Sequence, residues 1–312
     1  MAGAAARGGA GRMTLEPKLA DPVQLAIPAF ILLVLIEIGV AKLRREPAYE
    51  LRDTAASLAM GLGNLVIGVT LALGTYVAAN WVYQYRLLDL GYAWWSFALV
   101  LFAEDLTYYW FHRLSHRSRF WWAAHINHHS SQHYNLSTAL RQTWTGGLFQ
   151  WVLWLPLAIV GFPPALVVFQ KGVSLVYQFW IHTETIGRLP WWFEAVMNTP
   201  SHHRVHHATN PRYLDRNYAG VLIIWDRLFG TFVPEDEREP CRYGIVKNIG
   251  TFNPLRIAFH EWVAIGRDLA RAPSWRARLG YAFGQPGWSS DGSRQTTDAI
   301  RAQWQARRAA GR

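Results

Sequence analysis

The sequence predicts an all-α integral membrane protein with four or five spanning or re-entrant helices under a cytoplasmic helical cap that holds a histidine-rich, two-metal site. Three features carry that expectation: long apolar runs almost free of charge, Lys and Arg gathered on one side of them, and histidines at helical offsets just beyond them. Half of the 312 residues are hydrophobic, with 17 Trp, 15 Phe and 13 Tyr. These residues are bunched rather than spread, as in a membrane domain with a polar cap.

Residues 1–22 are rich in Ala and Gly and lack a cleavage pattern, so a disordered tail is expected there rather than a signal peptide. Val23 to Ala41 is apolar except for Gln24 and Glu37 and is closed by Lys42, Arg44 and Arg45. That is the length of a spanning helix, about 20 residues. Ala55 to Tyr83 contains no charge, and Gly91 to Trp110 is apolar and aromatic until Glu104 and Asp105; these are the second and third expected spans. From Thr145 to Ile181 the only charge is Lys171, and Gly161-Phe162-Pro163-Pro164 interrupts the run, which fits two short spans or a re-entrant hairpin. The membrane-embedded domain is therefore drawn over residues 23–265. Residues 266–312 are set apart as a polar tail, with a break at Gln285-Pro286-Gly287 and a short polar helix beyond it, and no chemistry is expected of them.

Orientation follows from the basic residues. Lys42, Arg44, Arg45 and Arg52 lie between the first two spans and Arg113, Arg117, Arg119 and Arg141 follow the third, whereas the loop between spans two and three has only Arg86. By the positive-inside bias the histidine-rich segments face the cytoplasm. The net charge of +10 comes with no nucleic-acid-reading motif, so anionic lipid headgroups are its expected partner. The single cysteine, Cys241, excludes an internal disulfide framework and a cysteine-based zinc cluster.

Eleven of the twelve histidines fall between His112 and His207. They form groups: His112-x3-His116, His125-x2-His128-His129, a single His182, and His202-His203-x2-His206-His207. Residues three and four apart share a helix face, so each group can aim two or three imidazoles at one point. One metal takes four to six ligands, and nine or ten candidate imidazoles therefore argue for two metals in one site. His133 and His260 fall outside the spacing and are left as ordinary histidines, while His202 is either a ligand or a neighbour of one. The zinc-protease pattern is absent, because His260-Glu261 has no second histidine after it.

Glu104 and Asp105 sit in an apolar span, where a carboxylate is paired or functional. Asp105 either orients a metal-binding imidazole or pairs, like Glu104, with Arg113 or Arg117; Glu184 beside His182 is open to the same two readings. All-nitrogen ligands at a membrane surface, with no evident hydrolytic base, suit oxygen chemistry on a lipid C–H bond better than hydrolysis. Trp110, Trp121, Trp122, Tyr177, Phe179 and Trp180 are either interfacial aromatics or walls of the lipid path. The reading from another class is a membrane protein that binds zinc or copper for transport or storage. Such a transporter is expected to hold its ligands at mid-bilayer, not just outside the spans.

The order of these boxes after spanning segments resembles the fatty acid hydroxylase and sterol desaturase superfamily over roughly residues 95–262. The stretches Glu104 to Trp110, Tyr134 to Arg141, Phe179 to Glu184, Asn198 to His207 and Asn217 to Phe232 are most similar to its ether-lipid-cleaving members. The resemblance implies an O2-dependent diiron lipid hydroxylase. His112, His116, His125, His128, His129, His182, His203, His206 and His207 would be its iron ligands. It also implies an electron donor: tetrahydrobiopterin in the ether-lipid-cleaving branch, ferredoxin or cytochrome in others. Sterol or fatty-acid desaturation runs on the same scaffold.

Overall fold

The computed structural model describes residues 19–311, and among them the regular structure is helical, with two isolated β-bridges, Met197 to Leu222 and Ala208 to Tyr243. Residues 1–18 of the expected N-terminal tail lie outside the described residues.

Helix α1 (Pro22–Arg44) starts at Asp21, whose carboxylate accepts from the backbone N–H of Val23, and Pro22 fits the first turn because its missing N–H has no partner to lose there. Helix α2 (Leu51–Tyr83) begins four residues before the expected second span. At 1.5 Å per residue its 33 residues run about 50 Å, well past a hydrocarbon core of about 30 Å. The excess lies at its first turns, where Asp53, Ala56, Ser57 and Met60 are buried against the cap. α1 and α2 are the two helices among the described residues that are long and apolar enough to cross a bilayer.

Helix α3 (Trp94–Arg117) continues past the expected third span, so the first histidine pair sits on its last two turns. Helix α4 (Arg119–His129) follows after the single extended residue Ser118 and packs back on α3. The run from Thr145 forms 3-10 turns, then helix α5 (Leu155–Val160), a sharp break, and helix α6 (Pro164–Trp180). The break is the interruption expected at Gly161-Phe162-Pro163. Gly161 has φ +128°, and a Cβ there would strike the Leu88 carbonyl. The loop after α2 bonds to this corner, Leu87 N–H donating to Ile159 O at 2.8 Å. The arms of this hairpin hold 6 and 17 residues of regular α-helix, against about 20 for a typical span.

The remaining helices, which the sequence expectation assigns to a cap, are α7 (Trp191–Glu194), α8 (Pro200–His207), α9 (Ile224–Leu228), α10 (Pro254–Arg271), α11 (Trp275–Phe283) and α12 (Thr297–Ala309). α10 runs without a break across residue 265, and α12 is the polar helix expected beyond Gln285-Pro286-Gly287. The last segment is tied to the cap: Arg117 on α3 makes a two-point bond to Asp298 on α12, at 2.9 and 2.7 Å.

Candidate metal centre

Nine histidines converge from four places. α3 supplies His112 and His116 one turn apart; α4 supplies His125, His128 and His129; α8 supplies His203, His206 and His207; and His182 stands just past the end of α6. They sort into two groups whose ring nitrogens lie within 4.8 Å of one another: His112, His116, His125, His129 and His206, and His128, His182, His203 and His207. Both α4 and α8 serve both groups: residues four apart, His125 with His129 and His203 with His207, face one point, whereas those one or three away, His128 and His206, turn to the other. All nine side chains are buried except the half-buried His125.

The spacing of the nitrogens fits a shared metal. Two nitrogens bound to one ion at about 2.0–2.1 Å stand roughly 2.9–3.4 Å apart for right-angled or tetrahedral geometry. His125 Nε2 lies 2.9 Å from His112 Nε2 and 3.1 Å from His129 Nε2; His182 Nε2 lies 3.2 Å from His128 Nε2 and 3.0 Å from His203 Nε2. Neutral imidazoles could satisfy such pairs only one at a time, yet the Nε2 atoms of His116, His206 and His207 are buried with no protein partner. A cation is what this donor set lacks.

The outward nitrogens set the tautomers. A carbonyl can only accept, so Nδ1 donates from His112 to Tyr218 O at 2.8 Å, from His128 to Arg141 O at 3.3 Å, from His182 to Gln178 O at 2.7 Å and from His206 to Arg216 O at 2.9 Å. Each such bond leaves the Nε2 lone pair directed inward. His116 is different: its Nδ1 faces a carboxylate, Asp215 Oδ1, at 3.3 Å. Burial, and secondarily the neighbouring rings, hold His125, His129, His203, His206 and His207 well below the ordinary imidazole pKa of 6.5, and His128 is pushed down to about 4. These rings are neutral, and therefore ready to coordinate, at neutral pH.

The carboxylates expected to act near the histidines do something else. Asp105 neither touches an imidazole nor pairs with Arg113 or Arg117. It accepts from the N–H groups of Val221 and Leu222 and from Trp225 Nε1, at 2.8, 2.9 and 2.9 Å, fixing the loop whose Tyr218 carbonyl holds His112. Gly220 in that loop has no room for a side chain against Tyr108 and Asp105. Glu104 accepts from Trp154 Nε1, Arg113 reaches Tyr109, and Glu184 accepts from Tyr243. His202 lies outside both groups, with its Nε2 3.8 Å from Glu194. His133 and His260 are also outside them.

Two acidic residues that the spacing could not single out matter more. Asp215 is the anionic partner of His116. Glu37, in α1, accepts from the Tyr49 and Thr183 hydroxyls and from the Leu136 N–H at 2.8 Å, so it grips both the loop after the second box and the residue after His182. Its sequence signal was a carboxylate in an otherwise apolar span. Arg141 completes the frame: it bonds Asp53 Oδ1 of α2 at 2.6 Å, while its carbonyl receives His128.

Of the aromatics expected near the lipid path, Trp122 packs on His116 and His129, Phe179 stacks on Phe30, and Tyr177 donates to Asn198 O. An apolar cavity of about 570 Å³ instead opens between α2 and the α5–α6 hairpin, with Leu71, Tyr76, Trp151, Trp154 and Lys171 among its walls. Trp154 packs on Phe111, the residue before His112, with ring centres 5.2 Å apart.

Residues 97–231 match the family model described as fatty acid hydroxylase. The chain is 40% identical over 281 residues to alkylglycerol monooxygenase of Homo sapiens, covering 88% of this chain and 61% of that protein. It is 39% identical over 273 residues to alkylglycerol monooxygenase of Xenopus tropicalis, covering 86% and 60%. An ornithine lipid hydroxylase of Rhizobium tropici shares 29% identity over 136 residues, 43% of this chain and 40% of that one. The chain thus spans about three fifths of the length of these two alkylglycerol monooxygenases. No solved structure matches it.

Proposed function

We propose, from the match of residues 97–231 to the fatty acid hydroxylase family model, that the chain is a membrane-bound diiron monooxygenase that hydroxylates a C–H bond of a lipid, an ether lipid in the first instance. The observation that carries this reading is the pair of buried imidazole groups, five and four in number, with inward nitrogens about 3 Å apart and several of them unpartnered. Two irons held by His112, His116, His125, His129 and His206 and by His128, His182, His203 and His207 would supply O2 activation with two electrons from a reduced donor. One oxygen atom enters the C–H bond and the other leaves as water.

This chain's residues do the rest. The carbonyls of Tyr218, Arg141, Gln178 and Arg216 keep four imidazoles in the coordinating tautomer. The apolar cavity, whose wall residue Trp154 packs on Phe111 beside His112, would receive the alkyl chain and exclude water. On an ether lipid the hydroxylated carbon would collapse to an aldehyde and the freed glycerol hydroxyl. Tetrahydrobiopterin is the donor proposed for that reaction; a ferredoxin or cytochrome would serve a desaturase or hydroxylase acting on sterols or fatty acids. In this reading α3 and the α5–α6 hairpin join α1 and α2 in the bilayer and the histidines open to the cytoplasm.

The test is metal content with Mössbauer spectroscopy on protein purified in detergent from iron-fed cells, beside His128→Ala and His206→Ala. About two irons per chain, reduced in both variants, followed by turnover of an alkylglycerol, is the expected outcome. Stoichiometric zinc or copper without iron would replace the oxygenase reading with metal binding for another purpose.

A further inference from the structure

Helices α10 and α11 each present an apolar stripe that stays largely exposed among the described residues, although Phe259 touches Trp144 and Phe283 touches Phe120 at its edges. On α10 the exposed apolar positions are Leu255, Phe259 and Val263, at successive offsets of four; on α11 they are Trp275, Leu279 and Phe283, again at offsets of four. Such spacing puts each trio on one helix face. Trp275 is 75% exposed and Leu255 61%, values for large apolar side chains that leave nearly a whole face uncovered.

The charges around the stripes are of one sign. Arg256, Arg267, Arg271, Arg276 and Arg278 flank them, and the first four are exposed. The two acidic residues of these helices point the other way: Glu261 and Asp268 both bond Arg119 of α4, each at 2.6 Å, and Asp268 also holds Arg294. The same inner side carries Trp262 against Phe120 and the buried Ile265. α10 therefore has a polar and apolar inner face fastened to α4, and an outer face that is apolar with an arginine border. The pair also abuts the membrane-crossing region, because Ile257 and Ala258 of α10 pack on Ala56 and Met60 in the first turns of α2.

We infer that the outer faces of α10 and α11 lie in the surface of an anionic bilayer, as an in-plane platform whose apolar side chains enter the acyl boundary and whose arginines meet the headgroups. A helix of this composition beside a spanning helix has that position as its natural solvent, since water covers the apolar stripe poorly and the bilayer core rejects the arginines. Because the platform grips α4 through Arg119, it also holds the helix that contributes His125, His128 and His129 at a set height above the acyl chains. This inference rests on α2 crossing a bilayer, but not on the metal or the reaction.

The lone Cys241 makes the test direct. In full-length Cys241→Ala protein, nitroxide labels are placed one at a time at Phe259→Cys and Leu279→Cys. References are Leu65→Cys in α2, for the hydrocarbon, and Glu237→Cys on the polar cap, for water. Collision of each label with O2 and with a water-soluble nickel complex is measured with one chain per nanodisc, in phosphatidylcholine alone and with phosphatidylglycerol added. The expected result is an oxygen-to-nickel ratio at both helix sites well above that at position 237 and closer to that at position 65, rising further with the anionic lipid. A ratio equal to that at position 237 in both lipids would overturn the platform. Equal ratios in the two lipids at a membrane depth would overturn the arginines' part in it. Protection that appears only when two chains share a nanodisc would assign the face to a second copy instead.

Discussion

Replacing Asp215 by Asn separates charge from shape at the metal centre. Of the five outward partners of the imidazoles, four are neutral carbonyls and one, on His116, is a carboxylate. Only the five-histidine group therefore has an anion behind a ligand. Asparagine keeps the acceptor oxygen and also tolerates the backbone, which is left-handed at Asp215 with φ +51°. What it removes is the negative charge that makes His116 a stronger donor. Loss of such a carboxylate behind a coordinating histidine costs 10–100-fold in metal affinity, about 1.4–2.8 kcal/mol. Chelator competition followed by Mössbauer spectroscopy should thus show one of two iron signals lost first, at a chelator concentration 10–100-fold lower than in the parent, while the other changes far less. Equal weakening of both signals, or none, would refute the claim that the two positions differ through Asp215.

Three further outcomes follow from contacts of the frame. Arg119→Met strands Glu261, whereas Asp268 keeps Arg294; breaking a buried pair of this kind should cost about 3 kcal/mol and lower the Tm in detergent, and an unchanged Tm would show the Arg119 cluster to be dispensable. Glu37→Leu orphans the Leu136 N–H and two hydroxyls, at about 1–3 kcal/mol for each group left buried, and metal analysis should show iron lost preferentially from the group containing His182. The imidazoles of α4 and α8 have folded pKa values below the unfolded value of 6.5, so the unfolded chain takes up protons first. Metal-free protein should therefore hold its stability above pH 6.5 and lose it as the pH falls through 6.5 toward 4, which thermal melts between pH 8 and 5 would follow; a flat profile would contradict neutral, buried rings.

What could be read from the chain was whatever repeats at helical spacing. The offsets of four within the boxes placed His112 with His116 and His203 with His207, while the offset of three, read as aiming His206 at the same point as His203, did not hold, since His206 joins the other group; the Gly161-Phe162-Pro163 interruption marked the corner between α5 and α6. The split into two groups was not legible, since it depends on how α4 and α8 rotate against each other. Asp215 was not legible either, because a carboxylate eight residues beyond His207 carries no local signature of touching His116, 99 positions earlier. Asp105 drew attention for the right physical reason, a charge in an apolar segment, but its partners are backbone N–H groups more than 115 residues away. The polar composition after residue 265 concealed the apolar stripe of α11 in the same way, because average composition says nothing about which face of a helix is covered.

The Glu37 anchor has a consequence for how the chain is made. It lies on α1, ahead of the histidine-bearing segments, and although Tyr49 follows after 12 residues, its partners Leu136 and Thr183 follow 99 and 146 residues later. At ordinary synthesis rates that gap is on the order of ten seconds, through which the Glu37 carboxylate has only the nearby Tyr49 hydroxyl of these three partners. Early on, α1 is therefore a provisional insertion, and the emergence of the third histidine-bearing segment is what locks it. A truncation before Leu136 leaves Glu37 with the Tyr49 hydroxyl but without the Leu136 N–H and Thr183 hydroxyl that tie α1 to the histidine-bearing segments.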